Sequence, residues 1–163
     1  MVSLRGHYQN GYVTHDLDRA VTLVEGRYGL TGWWRFEAEV SVETPACTAT
    51  MQIRIASAWA GGLHIEIVEP MGGADEHYRA LLPDDPDDPT PRLHHWALRR
   101  DDLQEMRAEL SASGLPLAFA GESPAMVFAY MDARASLGHY LEFVWKAPGG
   151  WEKIGWPEGR LLL

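Results

Sequence analysis

The chain has 163 residues, of which 46% are hydrophobic, 10% aromatic and 23% charged, a composition typical of a globular domain that can bury a sizeable core. The formal net charge of -9, with no cluster of Lys and Arg to offset it, argues against a nucleic-acid partner. The single cysteine, Cys47, cannot form an internal disulfide, and no signal peptide or run of about 18 apolar residues is recognisable, so we expect a cytoplasmic protein with no membrane partner.

The first half of the chain predicts a strand, a helix and three further strands. Alternation around YQNGYVT indicates a strand, and an amphipathic helix is expected from about Asp16 to Tyr28, with Asp16 as its N-cap and Gly29 as its stop. The buried face of this helix is expected to contain Leu17, Ala20, Val21, Val24 and Tyr28. The segments WWRFEAEVSVE, TATMQIRIASAW and LHIEIVE are then predicted to be strands, and EHYRALL a short helix.

The middle of the chain carries a Pro- and Asp-rich segment, PDDPDDPTP, at residues 83–91. Four prolines and four aspartates prevent regular structure and favour an extended, solvated connection. We therefore expect a first module over residues 1–82, a linker over 83–91, a second module over 92–146 and a C-terminal tail over 147–163, all within one domain.

The second half of the chain predicts the same order of elements. LHHWALR is expected to be a strand, followed by a helix from Asp101 to Ser113, in which Asp101 and Gln104 resemble a capping box. The stripe expected to be buried on this helix is Leu103, Met106 and Leu110. LPLAFAG, AMVFAYMD and HYLEFVW are predicted to be the remaining strands.

The repeated order suggests a duplication, which can be tested by superposing the halves. Sliding YQNGYVTHDLDRA onto HHWALRRDDLQEM brings Gln9 onto His95, and laying LHIEIVEP on HYLEFVWK brings Glu66 onto Glu142. In an alternating strand, Glu142 shares a face with Val144, so it points either to solvent or into a site. Its recurrence as Glu66 favours a site.

In these segments the sequence resembles the vicinal oxygen chelate superfamily, which includes glyoxalase I, methylmalonyl-CoA epimerase, extradiol dioxygenases and bleomycin-resistance proteins. The resemblance covers about residues 8 to 146 and is carried by YQNGYVTHDLDRAV, LHIEIVEP, LHHWALRRDDL and LGHYLEFVW. It implies an α+β fold of two βαβββ modules that form an open half-barrel around a divalent metal. Matched by position, the metal ligands would be Gln9, Glu66, His95 and Glu142. Their pattern is similar to that of glyoxalase I, and the layout is similar to that of methylmalonyl-CoA epimerases.

Two carboxylates, an amide oxygen and an imidazole suit Zn, Ni, Co, Mn or Fe in the divalent state. A metal that polarises a substrate carbonyl favours loss of the adjacent proton. The resemblance to glyoxalase I implies that Glu66 or Glu142 is the catalytic base, with a small organic molecule as the substrate. The sequence therefore predicts a metal-dependent isomerase, epimerase or lyase, and we expect a homodimer.

Other interpretations remain open at this stage. A metal-free binding protein of the bleomycin-resistance type is the main alternative, followed by a purely structural or protein-binding module. A dioxygenase is disfavoured, because Gln9 stands where those enzymes have a His.

Gln9 could be an ordinary strand residue, and Glu66 part of an exposed polar ladder or of a pocket wall. Since adjacent strand residues face opposite ways, either His94 or His95 could be a plain core or surface residue. The tail lies outside the resemblance.

Overall fold

Both halves of the chain form strands where the apolar alternation predicts them. The computed structural model describes residues 2–160. The first half contains β1 (His7–Val13), α1 (Leu17–Tyr28), β2 (Trp34–Glu43), β3 (Thr48–Ala60), β4 (Leu63–Gly73) and the short α2 (Glu76–Arg79). The second half contains β5 (Arg92–Arg100), α3 (Leu103–Ala112), β6 (Leu117–Glu122), β7 (Met126–Met131), α4 (Arg134–Leu137), β8 (Tyr140–Lys146) and α5 (Gly150–Lys153).

The strands form a mixed sheet in the order β1-β4-β3-β2-β6-β7-β8-β5, and this sheet closes into a barrel. The expectation of an open half-barrel was therefore wrong. Antiparallel pairing of β1 with β5 joins the two halves on one side. On the other side β2 is long enough for its last residue, Glu43, to pair with Ala120 of β6. Closure there depends on this one pair, so the barrel is weakly joined along that seam.

The strand register repeats between the halves, which supports the proposed duplication. In the parallel pair β1–β4, Gly11 lies opposite Glu66. In the parallel pair β5–β8, Ala97 lies opposite Glu142. Each carboxylate therefore stands beside a small residue on the first strand of its own half.

A β-bulge precedes each candidate ligand on the central strands. Along the β1–β5 pairing, His7 pairs with Leu98 and Gln9 with Ala97, which leaves Tyr8 without a partner in the register. Likewise Gly11 pairs with His95 and Tyr12 with Leu93, which leaves out His94. Because a bulge puts two successive residues opposite one, it interrupts the alternation of faces. Both His94 and His95 are consequently buried, so neither of them is a surface residue.

Helix α1 begins and ends as predicted. The Asp16 side chain accepts a hydrogen bond from the backbone N–H of Arg19 at 2.9 Å, and Gly29 ends the helix with φ 67°, in the left-handed region. Its buried residues are Leu17, Ala20 and Val21. Tyr28 was expected on this face but is 75% exposed, because it lies in the last turn at the edge of the stripe.

Helix α3 begins one residue later than predicted. Its N-cap is Asp102, whose carboxylate accepts from the backbone N–H groups of Gln104 and Glu105 at 2.8 and 2.9 Å. Asp101 instead pairs with Arg99 at 2.7 Å, so the predicted capping box was wrong. Met106 is fully buried, as the predicted stripe requires.

The linker is anchored at both ends and exposed in the middle. His15 Nε2 lies 2.8 Å from the carbonyl oxygen of Pro83, and the hydroxyl of Thr14 donates to that of Pro89 at 3.0 Å. Residues 84–87 are exposed. Only the middle of the segment is therefore a solvated connection.

The tail packs against one end of the barrel. Helix α5 buries Trp151, whose ring meets that of Tyr8 edge-on at 5.2 Å between centroids. Helix α2 occupies the equivalent place after β4, where Tyr78 stacks on His94 at 4.3 Å. Each half thus ends in a short helix whose aromatic residue covers a bulged residue of the central strands. No helix within residues 2–160 is long and apolar enough to cross a membrane.

Candidate metal centre

The four predicted ligands converge on the interior of the barrel. The central strands β1 and β5 carry Gln9 and His95, and the flanking strands β4 and β8 carry Glu66 and Glu142. The Nε2 atom of His95 lies 3.4 Å from Oε2 of Glu142 and 3.7 Å from Oε1 of Glu66. Gln9 is buried and shares a cavity wall with both carboxylates.

The His95 ring occupies space that a side chain on the neighbouring strand would otherwise fill. Gly11 lies directly opposite His95, and a Cβ atom at Gly11 would stand 1.8 Å from Cε1 of His95. Only a glycine permits this placement of the imidazole. Gly11 is therefore a positioning residue that the sequence reasoning missed, although its place two residues after Gln9 could have marked it.

The His95 imidazole is neutral and has an unpartnered nitrogen. Burial lowers its pKa to about 3, and the charges of His139 and His77 act in the same direction. Its Nδ1 atom lies 3.1 Å from Nδ1 of His94, whereas Nε2 is buried without a hydrogen-bond partner among the described residues. When Nδ1 donates a proton to His94, the lone pair of Nε2 points toward the carboxylates, which is the tautomer that a metal ligand requires.

The two carboxyl groups have raised pKa values. Burial raises the pKa of Glu66, and the nearby Gln9 side chain and the charge of Lys146 oppose the shift. Burial also raises the pKa of Glu142, which the like charge of Glu66 raises further, while Lys146 and the nearby Tyr130 side chain oppose it. The metal-free site therefore holds protons that a cation would displace.

The residues fit a divalent ion in donor chemistry and partly in spacing. Two donor atoms bound at about 2.1 Å to one ion, with an angle of roughly 90–110°, lie about 3.0–3.4 Å apart. His95 and Glu142 already stand at this spacing, while Glu66 is slightly farther from His95. Within residues 2–160, no three His, Cys, Asp or Glu side chains are close enough as they stand to form a complete metal-binding cluster. Of the two carboxyl groups, Glu66 would have to move farther than Glu142 to reach this spacing from His95.

The site opens into a cavity of about 350 Å³ inside the barrel. Its walls are mainly apolar and aromatic, with contributions from Phe36, Ile55 and Phe128. The polar residues that line it, besides Gln9 and the two glutamates, are Tyr8, Ser57, His64, Tyr78, Tyr130 and Lys146. A larger groove of about 570 Å³ lies outside the barrel beside α1 and contains none of the predicted site residues.

Three further polar residues of the cavity lie beside the candidate ligands, and of these only His64 was considered from the sequence, as part of a polar ladder or of a pocket wall. Tyr130 lies opposite Glu142, and Ser57 occupies the equivalent position opposite Glu66. His64 lies opposite Gln9, and burial lowers its pKa to about 4. The available signal in the sequence was that Ser57 and Tyr130 each interrupt a mainly apolar strand.

The sequence left open whether Glu66 belongs to a polar ladder or a pocket wall. Glu66 and His64 both line the cavity. Glu69 instead binds Arg54, with Oε2 and Nη1 2.8 Å apart, in an ionic cluster away from the cavity. The alternating strand thus separates the pocket wall from an ionic cluster on the opposite face.

The chain belongs to the glyoxalase/bleomycin resistance protein/dioxygenase superfamily, whose sequence profile matches residues 8–130. No curated protein matches the chain significantly.

Several solved structures share the fold. A hypothetical protein from Bacillus halodurans is 15% identical, with a TM-score of 0.58, over 89% of this chain and 96% of that chain. A methylmalonyl-CoA epimerase from Mycobacterium tuberculosis is 20% identical, with a TM-score of 0.55, over 95% of both chains. A variant of the methylmalonyl-CoA epimerase from Streptomyces coelicolor, in complex with 2-nitronate-propionyl-CoA, is 17% identical, with a TM-score of 0.57, over 89% of this chain and 99% of that chain. At these identities the likeness shows the fold alone.

Proposed function

We propose that this protein is a divalent-metal-dependent isomerase or epimerase that moves a proton next to a carbonyl group of a small organic substrate. Gln9, Glu66, His95 and Glu142 would hold the ion, which is Zn, Ni, Co, Mn or Fe. The observation that carries the proposal is the unpartnered Nε2 atom of His95, which lies 3.4 Å from Glu142 and 3.7 Å from Glu66, two carboxyl groups that line an apolar cavity.

The ion, when bound, would polarise the substrate carbonyl and acidify the adjacent C–H bond. Glu66 and Glu142 are the candidate bases. Burial raises the pKa of each in the metal-free site, and the ion would lower it, so a carboxylate that acts as the base would first have to leave the ion. Apolar walls exclude water and keep the abstracted proton on the carboxyl group.

The placement of the two candidate bases allows two different reactions of the substrate. Because Glu66 and Glu142 come from equivalent strands on either side of the central pair, one can take a proton and the other return it. Transfer between the two would invert the carbon, as in an epimerase. Return by the same carboxyl group to the neighbouring carbon would isomerise the substrate, whereas return to the original carbon would only exchange its proton.

Acyl thioesters are the first substrates to test, since the similar structures include an epimerase bound to methylmalonyl-CoA. Cyclic ketones and the thiohemiacetals of 2-oxo compounds complete the screen. The thiohemiacetals also test whether the protein is a lyase. The experiment measures, by NMR in heavy water, how fast the acidic C–H of the substrate exchanges with deuterium from the solvent. At least one of Glu66→Gln and Glu142→Gln should keep the metal and lose exchange about a hundredfold or more.

A metal-loaded protein that binds one of these compounds tightly and exchanges nothing would contradict the proposal. That result would support a binding protein of the bleomycin-resistance type. A homodimer remains part of the proposal, and light scattering of the purified protein tests it.

A further inference from the structure

One cation lines the cavity without an acidic partner. Lys146 ends β8 on the same face as Glu142 and lines the same cavity. Its Nζ atom lies 3.1 Å from Sδ of Met126 and 5.6 Å from the ring centroid of Trp151. Neither neighbour is an anion, and no carboxylate within residues 2–160 forms an ion pair with Lys146.

A partly buried ammonium group without a counter-ion is unfavourable. It has three N–H donors, and a thioether sulfur is a weak acceptor for one of them. Burial lowers the pKa of Lys146, and the charges of Glu142 and Glu66 oppose that shift without forming an ion pair with it. The remaining donors are therefore open to an anionic ligand in the cavity.

The fold does not require a cation at this position. Four residues after Glu66, the equivalent place on β4 is Pro70, which is buried and apolar. The first half of the chain thus builds the same strand end without a charge. Only the second of the two equivalent halves therefore carries a charged residue at this position of its last strand.

The tail holds the lysine in place. A Cβ atom at Gly150 would stand 2.7 Å from Cβ of Lys146, so the start of α5 packs directly on the lysine stem. Helix α5 is fixed by the buried Trp151 and by a hydrogen bond from Trp59 Nε1 to the carbonyl of Ile154 at 2.7 Å. Ile154 also lines the cavity. The segment that the family resemblance left unexplained therefore builds the Lys146 end of the cavity.

We propose that Lys146 binds a carboxylate of the substrate. The substrate would then be a carbonyl compound with an apolar body and an anionic end, its carbonyl near His95 and its carboxylate at the end of β8. Phe36, Ile55 and Phe128 line the apolar part of the cavity. The location of the carbonyl rests on the proposed function, whereas the anion-binding role rests on the surroundings of Lys146.

Hydroxamates test this arrangement, because a hydroxamate chelates a divalent metal through two oxygens. A series of alkyl hydroxamates of different lengths, each ending in a carboxylate, is compared with the corresponding methyl esters by calorimetric titration of the zinc-loaded protein. At least one carboxylate should bind about tenfold or more tightly than its ester, the usual effect of a charge-assisted hydrogen bond. Lys146→Met should abolish this preference, and Lys146→Arg should retain most of it.

Lys153→Met is the matched control, since Lys153 lies on α5 with an exposed side chain and its loss changes the net charge equally. Thermal unfolding verifies that each variant is folded. Equal binding of acid and ester in the wild type, or a preference that survives in Lys146→Met, would overturn the inference.

The esters report separately on the proposed metal centre. If they bind only to the zinc-loaded protein while Lys146→Met changes nothing, the metal centre stands and the role of Lys146 falls. Carboxylates that bind in a Lys146-dependent way, with or without zinc, support the anion site even if no ester binds.

Discussion

His95 occupies the space that Gly11 leaves empty on the neighbouring strand. The two residues are directly paired between β1 and β5, and a Cβ atom at Gly11 would stand 1.8 Å from the imidazole. The position of the candidate ligand is therefore set by the absence of a side chain across the strand pair.

Gly11→Ala should displace the His95 ring and destabilise the protein by about 1–3 kcal/mol, as overpacking of a close-packed interior does. Metal content should fall as well. Gly26→Ala is the matched control, because a Cβ atom at Gly26 would meet nothing within 4 Å. In α1 that change should be neutral or stabilising by about 0.4–1 kcal/mol. Metal analysis and urea unfolding of both variants are the measurements, and wild-type values for Gly11→Ala would contradict this explanation.

The order of the elements along the chain could be predicted from the sequence, whereas the convergence of the four candidate residues was implied only by the resemblance to the family. Alternation fixes which residues share a face, and the repeated order relates Glu66 to Glu142. The strand register then places these two residues at equivalent positions. Local pattern was sufficient for the elements because each depends on residues close together in the chain.

The features that could not be predicted depend on contacts between distant segments. The bulges at Tyr8 and His94 arise from the pairing of β1 with β5, which local alternation does not encode. Barrel closure depends on the single pair formed by Glu43 and Ala120. The packing of the tail against Lys146, on which its proposed role rests, is likewise a contact that local alternation does not encode.

His95→Ala and Glu142→Ala should each lower metal occupancy severely and leave the fold largely intact, because the two side chains form the pair of donors already at ligand spacing. Metal analysis of untagged protein, with circular dichroism for the fold, makes the comparison. Glu37→Ala is a suitable control, since the Glu37 side chain is 80% exposed. Full metal content in both site variants would show that the centre is wrongly assigned.

The raised carboxyl pKa values predict a pH-dependent loss of stability in the metal-free protein. Burial raises the pKa from 4.5 to about 7 for Glu66 and to about 8 for Glu142. At a pH above 4.5 and below these raised values, the folded state holds protons that the unfolded chain releases. The free energy of unfolding therefore falls as the pH rises through this range.

The double variant Glu66→Gln/Glu142→Gln provides the reference, because other titrating groups cancel in the difference. With a chelator present, the difference in unfolding free energy between wild type and double variant should decline from about pH 4.5 to about pH 8 and then level off. Urea unfolding across this range measures it. A constant or rising difference would indicate that the carboxyl groups are not destabilised by burial.

Insertion of a few Gly and Ser residues between Asp85 and Pro86 should change the unfolding free energy by less than about 1 kcal/mol, because loop-closure entropy grows slowly with length. The same insertion after Pro89 should cost more, since the carbonyl of that proline accepts a hydrogen bond from Thr14. Denaturant unfolding of the two proteins tests the difference. Equal and large losses would mean that the middle of the linker is also packed.

Titration of metal-free, untagged protein with Co²⁺ tests the central claim most directly, because the optical spectrum reports both stoichiometry and coordination. Saturation at one ion per chain is predicted, with a spectrum that is lost in His95→Ala. Uptake that does not saturate, or a spectrum that His95→Ala leaves unchanged, would contradict a metal centre built from Gln9, Glu66, His95 and Glu142.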